Sequence, residues 1–224
     1  AEVPGRLLGA TGSFDTVTTT GEAGFTYQSP STAVPDAYTL QLNSNRFDSP
    51  ACAGSAAPGN CRGWQQFVYS SKSTQSAFMQ YWLLNHGTPC PTGWIHDTSN
   101  SDGNCYRSSS SIPVSLIPAT SASLEQTSLT ASVTTGGDDR LDLATGSTHY
   151  AVTNSDNVLS LSNGWNAAEF AVLGDCCGHT AHFSANTEIA LRITVHDGTT
   201  NAPTCVLEGF TGERNNLNLV NTPA

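Results

Sequence analysis

The sequence predicts an all-β chain, an antiparallel β-sandwich of two packed sheets. Three observations predict it. Helical periodicity is nearly absent along the 224 residues. Short runs rich in β-branched and aromatic residues recur instead, and clusters of Gly, Asn, Asp, Ser and Thr separate them. About a dozen strands at this spacing suit two packed sheets.

The strands are expected in this order. Three long runs come first: "YTLQLNSNRF" (Tyr38 to Phe47), "GWQQFVYSS" (Gly63 to Ser71) and "AFMQYWLLN" (Ala77 to Asn85). "IPVSLIP", "SLTASVTT", "RLDLAT", "THYAVT" and "NVLSLS" follow, covering parts of 112–162. "AAEFAVLGD", "TAHFSA", "EIALRITVHD", "CVLEGF" and "NNLNLV" complete the set. Turns are expected at "TTGGDD", "ATGST", "TNSDN", "SNGW" and "HDGTTNAP". Residues 1–35 look less regular, an edge strand and a wrapping loop. No linker or internal repeat divides the chain, so residues 1–224 are expected to form one domain.

Composition narrows the function classes. Only 12% of residues are charged, and the formal net charge is −10. Lys72 is the single lysine. Such a surface argues against nucleic acid and anionic membrane as partners. No apolar run approaches the roughly 18 residues of a membrane-spanning helix. The chain begins at Ala1, with no initiator Met or apolar leader, and reads as a mature, secreted, monomeric form. Eighteen carboxylates are few for this length, so few must be protonated at a cost in acid. The composition therefore suits an acid-tolerant protein.

The seven cysteines fall in local groups. Cys52 and Cys61 flank one Gly/Ser/Asn-rich loop, and Cys90 and Cys105 flank another, as loop-stapling disulfides do in an oxidising compartment. Cys205 can pair with only one of Cys176 and Cys177, or those two can pair with each other. The spacings are not those of a zinc ribbon or finger, and no metal or other cofactor is expected. The absence of an Asn-x-Ser/Thr sequon is compatible with a bacterial secreted protein.

Two strands carry one polar residue each where both faces are otherwise apolar. In "FMQYWLL", Gln80 shares a face with Phe78 and Trp82. In "WNAAEFAVLGD", Glu169 shares a face with Ala167, Ala171 and Leu173. An unpaired buried carboxylate is costly. Glu169 therefore points to water at a strand edge or has a use.

These stretches resemble the glutamic peptidases of the eqolisin type, the scytalidoglutamic-peptidase-like family. There a Trp-bearing strand precedes the strand of the catalytic glutamine, and the catalytic glutamate follows far downstream in an Asn-Ala-Glu context. The resemblance covers roughly Tyr38 to Val195, including a central hairpin like "LTASVTTGGDDRLDLATGSTHYAV". It implies two curved sheets of concanavalin-A-like or jelly-roll-like type, and Gln80 and Glu169 as the catalytic pair. It also implies Trp64 beside the site. Phe78 and Trp82, on the face of Gln80, are expected to line a groove for protein or peptide substrates. The chain departs from the family in three places. "WQQF" replaces Trp-Val-Gly-Ile, a Cys-bounded loop follows the glutamine strand, and "LGDCCGHTAHF" follows the glutamate.

The two residue types suffice for metal-free peptide hydrolysis. A carboxylate can deprotonate the attacking water and return the proton to the leaving amine. A side-chain amide can donate to the developing oxyanion. The pair is expected to meet over a shared water on a concave face. The structural alternatives are a core amide at Gln80 and a Glu169 paired with Arg192 or Arg140.

Other constellations are weaker. His179 and His182 of "HTAH" fall on opposite strand faces. His86, His96, His149 and His196 show no pattern. Asp138, Asp139 and Asp142 could hold calcium, but a hairpin turn explains them more simply. No Gly-x-Ser-x-Gly is present. "CCGH" reads as structural disulfide chemistry rather than a redox pair. One rival is a non-catalytic sandwich that binds carbohydrate or protein through Trp64, Trp82, Trp94 and Trp165. The other is a two-carboxylate hydrolase, which needs Glu188 or Glu208 opposite Glu169.

Overall fold

The computed structural model describes residues 1–18, 26–29, 32–71, 74–99, 101–174, 181–183 and 186–206. Its strands are β1 (Gly9–Thr18), β2 (Thr26–Ser29), β3 (Thr32–Pro35), β4 (Thr39–Ser44) and β5 (Arg62–Ser70). Next come β6 (Ser76–Leu84), β7 (Ile95–His96), β8 (Cys105–Ser108), β9 (Ile112–Pro113) and β10 (Thr127–Ser132). β11 (Asp138–Thr145), β12 (Thr148–Ser155), β13 (Ala168–Leu173), β14 (Ala181–His182) and β15 (Glu188–His196) complete them. One helical turn, α1 (Ser121–Leu124), precedes β10.

Two antiparallel sheets form the predicted sandwich. One runs β12-β11-β10-β1-β15; the other runs β13-β4-β5-β6-β8-β7, with β9 also on β6. A small third sheet, β14-β2-β3, completes the strand pairing. The core lies between the two large sheets. Leu40, Leu42, Phe67, Met79, Tyr81 and Phe170 from the seven-stranded sheet meet Ala10, Phe14, Leu129, Leu141 and Val152. Period-two alternation puts these side chains on one face and leaves Glu169, Gln80, Trp64 and Trp82 on the other.

The N-terminal region departs from expectation. β1 is a ten-residue strand, paired with β10 on one side and β15 on the other. It is interior to its sheet, not an edge. Gly9 and Gly12 weaken its strand signal, because glycine is a poor strand former. Gly12 has a packing reason: a methyl group there would overlap the Phe170 ring. The ring of Phe170 also meets Phe14 edge-on at 5.6 Å.

"NVLSLS" is not a strand. It forms two 3-10 turns, Asp156–Val158 and Leu161–Asn163. Its leucines alternate toward the core from turns, held by Asp156, whose carboxylate accepts from Ser162 N and Ser162 Oγ. "IPVSLIP" keeps only a two-residue strand, since Pro113 and Pro118 cannot donate to a ladder. β7 lies in the Cys-bounded segment that expectation left as loop, and β8 begins at its last residue, Cys105. Most of "CVLEGF" and all of "NNLNLV" lie outside the described residues.

Disulfides join Cys52 to Cys61 and Cys90 to Cys105, which fits an oxidising environment. Cys205 is exposed, and Cys176 and Cys177 lie outside the described residues. No helix among the described residues is long and apolar enough to cross a membrane.

Replacing Gly12 with Ala tests the sheet-to-sheet contact. Overpacking against Phe170 should cost about 1–3 kcal/mol of stability, read by chemical denaturation. The same change at exposed Gly5, where nothing stands in the way, should cost far less.

Candidate functional site

The outer face of the seven-stranded sheet carries a continuous line of polar side chains. Glu169 pairs with Asn43, Asn43 with Gln66, Gln66 with Gln80 and Gln80 with Ser108. The line crosses β13, β4, β5, β6 and β8. Trp64, Trp82 and Tyr106 form the next row on one side, since Trp64 pairs with Trp82 and Trp82 with Tyr106. Their rings lie 6.1 and 5.1 Å apart. Ala171, Gln41, Val68 and Phe78 form the row on the other side. An amide and carboxylate strip therefore runs between two mostly apolar strips.

The entry to β13 is fixed before Glu169. Asn45 Oδ1 accepts from the backbone N–H groups of Asn166 and Ala167, at 2.9 and 3.1 Å. Asn45 Nδ2 donates to Gly164 O at 3.0 Å. Trp165 is fully buried, stacks on Phe67 and donates its indole N–H to Ala167 O. It is a core residue and offers no stacking face to a ligand. Along the far side of β13, the amino group of Ala1 donates to Ala168 O, and Glu2 bridges to Ala167. Burial lowers the pKa of that amino group, while Cys205, Glu169 and Glu2 act in the opposite sense.

The arginines expected as partners of Glu169 are engaged elsewhere. Arg192 holds Asp15 at 2.7 Å and Arg140 holds Asp142 at 2.6 Å. Glu188 is exposed on β15, in the other sheet, so it supplies no second carboxylate opposite Glu169. Glu208 lies outside the described residues.

Gln80 and Glu169 share the face but are not cross-strand neighbours. Three strand spacings, about 14 Å, separate their backbones. Asn43 and Gln66 stand between them. Expectation missed this because the insertion of β4 between β13 and β5 is a matter of topology. The available signal was the alternation of Gln41 and Asn43 with Leu40 and Leu42 in "YTLQLNSNRF".

The amides are not equivalent. The Trp82 indole N–H is shared between Gln66 Oε1, at 2.8 Å, and Gln80 Oε1, at 3.2 Å. Gln66 Nε2 donates to Gln41 Oε1 at 2.6 Å, so both ends of Gln66 are engaged. Gln80 is anchored through its oxygen, and its Nε2 has no hydrogen-bond partner among the described residues. It is half-buried and faces outward, which makes it the free donor of the strip.

Two further polar atoms of this face are buried without partners. Asn43 is fully buried and its Oδ1 has no donor; Trp64 is 6% exposed and its Nε1 has no acceptor. Gln66 is 3% exposed. Asn43 and Gln66 on β4 and β5 are thus covered, while Gln80, Trp82, Phe78 and Glu169 around them remain half-buried.

The remaining candidates disperse. Asp138 is exposed, Asp139 faces the core and Asp142 pairs with Arg140, so they converge on no cation. Among the described residues no three His, Cys, Asp or Glu side chains are placed to hold a metal ion. His179 and the side chain of His182 lie outside the described residues. An open depression of about 610 Å³ adjoins the start of β13, between Arg6, Arg46, Asp48 and Asn163.

Comparison with protein-family models, with curated proteins and with solved structures finds no match.

Trp82→Phe keeps the ring but removes the shared donor of Gln66 and Gln80. It should cost about 1 kcal/mol. For a chain of this size that lowers Tm by roughly 2–4 °C in a thermal scan.

Proposed function

We propose that this chain is a secreted acid endopeptidase that cleaves peptide bonds on the outer face of its seven-stranded sheet. The supporting observation is the single cross-strand line that holds Glu169 and Gln80 on one half-buried face, with the Gln80 amide nitrogen free. Glu169 acts as the base that takes a proton from the attacking water and returns it to the leaving amine. Gln80, oriented by Trp82, donates to the oxyanion. A substrate strand lies over Asn43 and Gln66 with its side chains against Trp64, Trp82 and Phe78, and cleavage requires the Glu169 and Gln80 side chains to lean toward each other across them to reach one carbonyl. The low charge of the chain and the two disulfides among its described residues agree with an acidic, oxidising setting.

Gln66 is the feature that favours a second reading. In the family that the sequence resembles, a glycine stands at this position. Here a glutamine, bonded at both ends, occupies the floor between Glu169 and Gln80. A strip whose middle is filled in this way suits binding without cleavage, of peptide or of carbohydrate, along its half-buried aromatic margin.

Digestion of denatured casein at about pH 3 separates the two readings. Wild type should digest it. Gln80→Ala should lose roughly 10²–10³ in rate, and Glu169→Ala roughly 10²–10⁴, both with unchanged far-UV circular dichroism. Gln66→Gly should keep or raise the rate. Activity that survives both the Gln80 and the Glu169 changes overturns the peptidase reading. A folded wild type that binds peptide without cleaving it supports the second.

A further inference from the structure

We propose that Gln65, Asp139 and Asp156 form an acid-retained latch between the two large sheets, closed while Asp139 carries its proton and loosened when it ionises. The proposal is independent of the peptidase reading and concerns the opposite face of β5.

Gln65 and Asp139 are both fully buried. Gln65 projects into the core from β5 and Asp139 from β11. The Gln65 Nε2 group donates to Asp139 Oδ2 at 2.8 Å, across the space between the sheets. The other oxygen of each residue, Gln65 Oε1 and Asp139 Oδ1, has no partner. A fully ionised Asp139 would therefore sit in the core with one donor, where a buried carboxylate needs two or three.

Asp156 is the contrasting member. It is buried too, but Ser162 N, Ser162 Oγ and Gly136 N donate to it at 3.0, 2.8 and 3.4 Å. Three donors meet the hydrogen-bonding needs of that carboxyl group, whereas Asp139 has one. A proton on Asp139 removes its charge from beside the other carboxyl groups that act on it.

The neighbours from every side agree. Asp138, next on β11, adds a third negative charge. From β6, Tyr81 accepts from Asn154 of β12 at 2.8 Å; burial keeps its hydroxyl protonated, and Asp139 acts in the same sense. Arg107 of β8 acts on Tyr81. The charged groups acting on Asp139 itself, Asp156 and Asp138, are anionic. Burial, opposed by the Gln65 bond and reinforced by these two carboxylates, pushes Asp139 up to about 7.

An unfolded Asp titrates near 3.9. Between that value and about 7 the folded chain holds a proton that the unfolded chain has lost. Stability is therefore greatest in acid and declines as pH rises through this window. β12 is the edge strand of its sheet, so the β11–β12 hairpin is the element that the latch keeps on β5 and β6.

Thermal denaturation of wild type and Asp139→Asn from about pH 5 to about pH 8 tests this. Asparagine copies the shape of the neutral acid: its oxygen can accept from Gln65 and its nitrogen can donate to Asp156. Wild type should lose roughly 5–10 °C of Tm over the interval relative to the variant. Parallel pH profiles of the two proteins overturn the latch. If Asp139→Asn does not fold, infrared spectroscopy of folded wild type decides. A protonated carboxylic acid band present at about pH 6 and lost above about pH 8 supports the latch, and its absence at about pH 6 overturns it.

Discussion

The register of four adjacent strands is the constraint on which the rest of the structure depends. Glu169, Asn43, Gln66 and Gln80 fall in one line only because β13, β4, β5 and β6 pair as they do. A slip of one residue in β6 would turn Gln80 into the core and expel Met79, Tyr81 and Leu83. The cost of burying an amide and exposing those side chains forbids it. Core packing thus aligns the polar strip, although no residue of the strip takes part in the core. The same alignment stacks Trp64, Trp82 and Tyr106 in the neighbouring row.

Two consecutive glutamines show what the alternation does. Gln65 and Gln66 have the same side chain and adjacent backbones. Gln65 points inward and joins Asp139 of the opposite sheet. Gln66 points outward and is held by Trp82 and Gln41. One links the sheets and the other joins the outer polar strip to its Trp82 and Gln41 neighbours. β5 is buried along nearly its whole length on both sides, so neither amide can rely on bulk water. Each must find partners in the protein, and each partner fixes where it points.

The sandwich was legible in the sequence because period-two alternation and turn clusters are local signals. β4, β5, β6, β10, β13 and β15 fall within expected runs or a residue of their ends, while β11 starts two residues before its run and β12 ends two residues after its own. β1 was not legible, because the glycines that admit the Phe170 ring also erase its strand signal. "NVLSLS" misled because leucines at alternate positions can reach the core from 3-10 turns as well as from a strand. In the candidate site, the faces of Gln80, Glu169, Trp64, Phe78 and Trp82 were readable from alternation alone. The distance between the first two was not. It depends on strand order, and nothing local to β6 or β13 encodes the two strands placed between them. Asp139 was hidden for a similar reason: beside Asp138, Arg140 and Asp142 it reads as one more turn carboxylate, until the opposite sheet supplies Gln65.

The two carboxyl groups that matter most have opposite requirements. As the proposed general base Glu169 must lose its proton to work, and it stands half-buried on the edge strand, where it acts on the amino group of Ala1. Asp139 must keep its proton to sit quietly in the core, and its neighbours there are an amide and two carboxylates. A moderately acidic medium suits Asp139, since burial and the carboxylates around it make it ionise late. Near neutrality Asp139 begins to lose the proton that suits the space between the sheets. On this account the scaffold itself favours acid, and a chain with few other carboxylates has little else to oppose it.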